Sequence, residues 1–358
     1  MPSLKEIKGR INSISSTLAI TSAMKMVAAA KLQKAQMAIQ NMLPYERRLH
    51  SMLIDLMGAM NISAAASEDG SVRGSGSAER GFDQSGDRLS LSNRHDLAGM
   101  DGAYSLMAQR EVRKVAIVAF ASNSSLCGAF NSNAIREATA VINEYRASGL
   151  RDSDIVVYSV GRKMAEAMRK LGFPSPADFT KMSDSPSYEA ASALAQELLD
   201  GFVSGRFDKV ELVYNHYKST SSQPTTRQTY LPLSLADATA DLQAGKIADS
   251  ASESDTNRGA EPVGAPVVRQ GSPTTEDLIV EPSKEALIAT LLPKVIRLRI
   301  FTTLLDSAAA EHAARTVAMQ LATDNGNDLL QELTLEYNKG RQQKITSEIL
   351  DLVGGSMQ

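Results

Sequence analysis

With 38 Lys and Arg against 41 Asp and Glu in 358 residues, the chain has a formal net charge of −3. No overall excess of charge therefore directs it to nucleic acid or anionic lipid, and a partner bound by charge must be recognised locally. The length allows two ordinary domains with a sizeable core. A single cysteine, Cys127, excludes an intramolecular disulfide framework, and no apolar run of about eighteen residues is present to span a bilayer.

The opening segment, MPSLKEIKGRINSISS, has the Lys, Arg and Ser of an organelle transit peptide, yet it contains Glu6 and its helical period continues for dozens of residues. It reads as part of the mature fold. Steps of three and four from Leu4 pass through Ile7, Ile11, Ile14, Leu18, Thr21, Lys25, Ala28, Leu32, Ala35, Ile39 and Met42. After Glu46 the seam resumes at Leu49, Leu53, Leu56 and Met60. This is the heptad stripe of a coiled coil, broken only by Pro44, where a kink is expected. One helix over 3–58 would extend about 84 Å, which is too long to be stable without a partner.

Residues 61–110 are rich in Ser, Gly and charge and lack a sustained period, so they are expected to form a flexible insertion; 240–276 repeats that composition. Between the two lies an α/β pattern over 111–239. Strands are expected at 112–121, 155–160, 210–217 and 225–233, and helices at 134–146, 163–171 and 189–203, giving a mostly parallel sheet covered on its faces. From 277 to the end the helical period returns, with Leu287, Leu291, Val295, Leu298, Phe301 and Leu305, then Leu335, Ile345, Ile349 and Leu352. Pro293 predicts a kink, and Asn325-Gly326 taken alone suggests a turn. The resulting fold class is α/β: a long antiparallel coiled coil of the terminal helices, 1–60 with 277–358, carrying a small Rossmann-like domain.

Motifs for catalysis are lacking. SNSSLCGAFN stands between a strand and a helix, where a phosphate loop would be, but it has neither the glycine spacing nor the lysine. Cys127 has no histidine near it in sequence and reads as a small buried thiol. His50, His95, His216 and His312 are scattered without metal-ligand spacing. No catalytic, cofactor-binding or metal residue is expected.

Four stretches carry a resemblance: LKEIKGRINSISSTLAITSAMKMVAAAKLQKAQ at the start, SLCGAFN, EPSKEALIATLL, and AARTVAMQLATDNGNDLLQELTLEYNKGRQQKITSEILDLVGG at the end. Together they resemble the gamma subunit of rotary F-type ATP synthases. The resemblance implies a proton-coupled central shaft, itself without catalytic activity, that turns inside a ring of alpha and beta subunits. The α/β domain would form a foot beside the epsilon subunit on a membrane c-ring. Association with the cell inner membrane would be peripheral and on the cytoplasmic side. It also implies that the TDNG segment stays helical, that Met24 and Lys25 face acidic loops of the catalytic subunits, and that Arg315, Gln342, Thr346 and Glu348 form a polar catch higher on the shaft.

In that setting the alanines at 308, 309, 310, 313, 314, 318 and 322 would let two helix backbones approach closely. The ILDLVGGSMQ tip, with Asp351 as its one charge, would suit an apolar sleeve. For Met24 the plain alternative is coiled-coil packing, and for Glu311 with Arg315 an exposed helical pair. Ala19 and Ser22 stand where many members have lysine, and Asn123-Ser124-Ser125 replaces the usual Asp-Arg-Gly. Two other readings fit the same pattern: a static coiled-coil scaffold, and a nucleotide-binding α/β protein whose helices form a dimerisation arm.

Overall fold

The structure, a computed structural model, describes residues 3–59, 106, 109–233 and 284–356. Two helices dominate it. α1 runs Leu4–Ala59 and the last helix, α6, runs Lys284–Ser356, so at 1.5 Å per residue they reach about 84 Å and about 110 Å. Both assignments continue through their internal prolines, Pro44 and Pro293, and α6 continues through Asn325-Gly326.

Between them the chain forms β1 (Val115–Phe120), α2 (Phe130–Ala147), β2 (Ile155–Val160), α3 (Arg162–Lys170), the short α4 (Thr180–Asp184), α5 (Tyr188–Val203), β3 (Lys209–Asn215) and β4 (Thr225–Leu231). The strands form one sheet in the order β2-β1-β3-β4. Val115 lies opposite Ile155 and Lys209 in parallel register, while β4 runs antiparallel on β3, with Asn215 opposite Thr225. The mostly parallel sheet is therefore present with an antiparallel edge strand. The expected elements are there within a few residues, and α4, too short to show a period, is an addition.

Strand alternation divides the core into two. Val115, Ile117, Ala119, Ile155 and Val157 face α2 and α3, where Ala134, Ala138, Val141, Met164 and Met168 cover them. Ala116, Val118, Phe120, Tyr158 and Leu212 face the other way, onto α5 and onto both long helices through Leu49, Leu53, Ile288, Leu292 and Ile296. The long helices thus supply one wall of the domain core. Gly161, between β2 and α3, has φ of +99°, and a Cβ there would lie 2.0 Å from the Ala121 carbonyl oxygen, so the chain can pass only with glycine.

Of the segment 61–110, only its end is described. Leu106 is buried in the core and its carbonyl accepts from Leu233 N at 3.1 Å. Arg110 donates to the Phe202 carbonyl and lies 5.1 Å from that ring's centre. The remainder of that segment, apart from Gln109, lies outside the described residues, as does 240–276.

Candidate functional site: the helix pair and its joint with the sheet

The register of α1 on α6 follows from a few contacts. Leu4 meets Gly340, Leu18 meets Gly326, and Thr323 donates to Thr21 Oγ1 at 3.1 Å, so each step up one helix is matched by a step down the other. The two leucines are two heptads apart, and so are the two glycines. A Cβ on Gly326 would lie 2.6 Å from Leu18 Cδ2, and one on Gly340 3.2 Å from Leu4 Cδ2. Gly326 is therefore a notch that receives a knob, which is why a dipeptide that favours turns sits inside a helix here.

The alanine stripe has two neighbours. Ala309 and Ala313 are fully buried against Leu32 of α1, as close helix packing requires. Ala310 and Ala314 instead pack against Cys127, Phe130 and Tyr217 of the α/β domain. Ala322, expected at the helix contact, is exposed. The small residues thus serve the joint with the sheet as much as the fit of helix on helix.

That joint lies at the carboxyl ends of β1 and β3, the crevice in which doubly wound sheets usually bind ligands. Here α6 fills it. From the β3 end, His216 Nδ1 lies 2.7 Å from Asp306 Oδ2, and Tyr217 N donates to Asp306 Oδ1 at 2.9 Å. The Tyr217 hydroxyl accepts from Gln36 Nε2 of α1 at 2.7 Å, so two adjacent residues hold both helices. The Asp306 carboxylate holds the His216 imidazole above its ordinary range, against burial and Lys218.

From the β1 end, Arg315 donates to Ser124 Oγ at 2.7 Å and to Glu311 at 2.7 Å. Both partners of the ion pair are buried, with side chains only 10% and 9% exposed. Burial raises the Glu311 carboxyl, and Arg315 only partly offsets it. Ser124 is itself set by a local network. Its carbonyl accepts from Ser122 Oγ and Asn131 Nδ2, while Asn131 Oδ1 accepts from Ser122 N at 3.0 Å. Asn123, standing where the resembling family has aspartate, accepts from Arg162 N at 2.7 Å and donates to the Thr180 carbonyl.

The six residues singled out in the sequence do not come together. Met24 and Lys25 are half-buried on α1, level in this register with Gln320 and Met319. Arg315 is neither exposed nor high on the rod: it lies 27 residues, about 40 Å along α6, below Gln342, and the foot loop occupies its guanidinium. The exposed-pair reading is therefore corrected: Glu311 and Arg315 form a buried pair. Gln342, Thr346 and Glu348 are exposed beyond the level of Leu4, on the part of α6 that has no α1 beside it. Thr346 there donates to the Gln342 carbonyl, and Glu348 lies 3.8 Å from Lys344.

Among the described residues no cluster of His, Cys, Asp or Glu could hold a metal, and no helix is long and apolar enough to cross a membrane. The chain matches the family model described as ATP synthase over residues 3–357. It is 46% identical over 357 residues to the ATP synthase gamma chain of Phocaeicola vulgatus, covering 100% of each chain. The chain belongs to the ATP synthase gamma family. The gamma chain of Bacteroides thetaiotaomicron is 44% identical over 358 residues, again covering all of both, so the matched span passes through both Ser/Gly-rich segments. That of Flavobacterium johnsoniae is 36% identical over 99% of this chain and 98% of its own.

A chain from the Euglena gracilis mitochondrial ATP synthase structure of OSCP, F1 and c-ring is 18% identical. It superposes with a TM-score of 0.53 over 99% of this chain and 93% of its own, and so shares the fold. As a gamma-family member the chain is a subunit of the ATP synthase complex, its central shaft.

Sequence reasoning missed the joint: Asp306, His216, Tyr217, Gln36 and Ser124. One signal was available. Asp306 is a lone carboxylate between Leu305 and the alanine stripe, a position that needs a donor from elsewhere in the fold.

Proposed function

We propose that this chain is a non-catalytic rotor: its α/β foot is driven by a proton-translocating membrane c-ring, and its helix pair imposes conformations on a surrounding ring of alpha and beta subunits. The epsilon subunit is the partner assigned to the foot, and the whole is held peripherally at the cytoplasmic face of the inner membrane. The observation that carries this reading is the bare end of α6. Leu350 is 65% exposed and Leu352 74%, on a rod one helix thick that no other described element covers. Such apolar surface needs a surrounding partner.

Coupling is a population shift. A lopsided rod presents a different face to each of three equivalent sites, and contacts made with only one conformation of a site bias it open or closed. Met24 and Lys25 are assigned to the lower contact, beside the exposed Ile20, Met26 and Val27; Gln342, Thr346 and Glu348 are assigned to the upper one. Arg315 is assigned a different part, holding the rod on the foot. Reconstitution with the alpha and beta subunits tests the proposal. A reversible cross-link from Met24→Cys to the ring stops ATP turnover and reduction restores it, whereas a static scaffold leaves turnover indifferent to the cross-link.

A further inference from the structure

Torque passes between foot and shaft without a covalent element other than the chain itself, so the non-covalent joint must resist rolling of α6 in its crevice. Asp306 and Arg315 are nine residues apart, which at 3.6 residues per turn places them about half a turn apart around α6. The β3 loop therefore holds one flank of the helix and the β1 loop the other. Each flank has one anchor of charge: Asp306 against His216 and the Tyr217 amide, and Arg315 against Ser124.

The two anchors differ chemically. Arg315 holds the β1 loop through a guanidinium that donates to Ser124 Oγ and is shared with Glu311. His216 is half exposed and exchanges protons with solvent, and an imidazole bonded to a carboxylate is a charged pair only when protonated.

We propose that Asp306 is a positioning residue that fixes the angular register of the shaft on the foot through His216 and Tyr217, and that this grip tightens and slackens with pH at His216. The inference rests on the rotor reading above. The charged groups acting on the imidazole are Asp306 from α6 and Lys218 from its own loop, with opposite effects. From α1 the joint receives the neutral Gln36, on Tyr217. Because the folded imidazole binds its proton more tightly than a free one, the added hold is complete below the free value of 6.5 and is lost as pH rises through the folded value. The amide of Tyr217 keeps its bond to Asp306 at every pH, so the hold slackens rather than releases.

The experiment uses the assembled rotor with its ring fixed to a surface and a probe on the foot. Angular variance of the probe at rest, and ATP-driven proton pumping per ATP hydrolysed, are recorded between pH 5.5 and 8.5 on the order of half-unit steps. In the unaltered protein the variance rises with pH. His216→Gln removes that dependence and leaves rotation intact. Asp306→Asn, which keeps an acceptor for the Tyr217 amide, gives a pH-independent variance about two- to fivefold greater in its acid limb, and Asp306→Glu restores part of the slope. An Asp306→Asn foot that turns with unaltered variance and slope overturns the clamp. A foot that never turns against its ring overturns the rotor reading instead, and the two results cannot be confused.

Discussion

Leu18 occupies the space in which Gly326 would carry a side chain, with its Cδ2 only 2.6 Å from where a Cβ would stand. The obstacle is the end of a flexible side chain rather than backbone, so two effects of similar size oppose one another on substitution. Alanine gains about 1 kcal/mol of helix propensity over glycine, and displacing Leu18 costs about 1–3 kcal/mol. Gly326→Ala should therefore change stability by less than about 2 kcal/mol. Gly326→Val should destabilise clearly, and Leu18→Ala should relieve most of that cost. Thermal unfolding followed by circular dichroism measures all three, and additive single and double variants would contradict the contact.

Arg315 and Glu311 give a second expectation. Removing Arg315 leaves a buried carboxylate whose proton affinity is already raised, so Arg315→Ala should lose about 3–5 kcal/mol. Replacing the pair together with Met and Leu should recover most of it, because the desolvation cost of both charges disappears. Urea unfolding of the intact chain distinguishes the two. Lys25, half-buried on α1 and assigned to the ring, should behave oppositely: Lys25→Gln leaves urea stability within about 0.5 kcal/mol and lowers ATP synthesis by the reconstituted complex a few-fold.

Acid sensitivity should arise at Glu211, a carboxylate buried on β3. Burial raises its proton affinity, but the hydrogen bonds from Arg227, Lys209 and Tyr145 win, and it titrates below its ordinary value of 4.5. A depressed carboxylate contributes stability that is present above its unfolded value and is lost as pH falls through the folded one. Unfolding free energy of the foot should therefore drop steeply below about pH 4.5. Glu211→Gln should lose about 3 kcal/mol at neutral pH and flatten that limb. An unchanged acid limb in the variant would show the network to be incidental.

A separate acid limb belongs to the helix pair. His50 is buried beside Arg299, and burial followed by that charge pushes it down to about 4; His312 is pushed to about 4 by burial and Arg315. Both are held neutral, so their contribution is whole above 6.5 and is lost as pH falls from there toward 4. For His50 the full effect is about 3 kcal/mol. His50→Leu should make unfolding of the pair less dependent on pH in that interval, as read by helical circular dichroism in titrated urea melts.

The helix pair and the order of the domain were legible because each rests on a repeating signal: leucines and isoleucines every three or four positions, and short β-branched runs such as VAIVAF. Gly326 was misleading by its local chemistry alone, since Asn-Gly favours a turn until Leu18 takes the glycine's empty side. The joint was not legible for a different reason. His216 and Asp306 are ninety positions apart, Ser124 and Arg315 almost two hundred, and no periodicity links residues that meet only after the sheet has formed. Arg315 could be seen as charged and helical, but whether its helix face looks at solvent or at a foot loop depends on that meeting.

The register that brings Leu4 level with Gly340 leaves the last sixteen helical residues of α6, 341–356, without a companion helix among the described residues. Up to that level the rod has two strands braced against each other; past it, one strand alone bears any load. Twist applied from below will accumulate in the single-stranded end, as it does in the thinnest length of a torsion wire. The described rod thus has a stiff section and a compliant one in series.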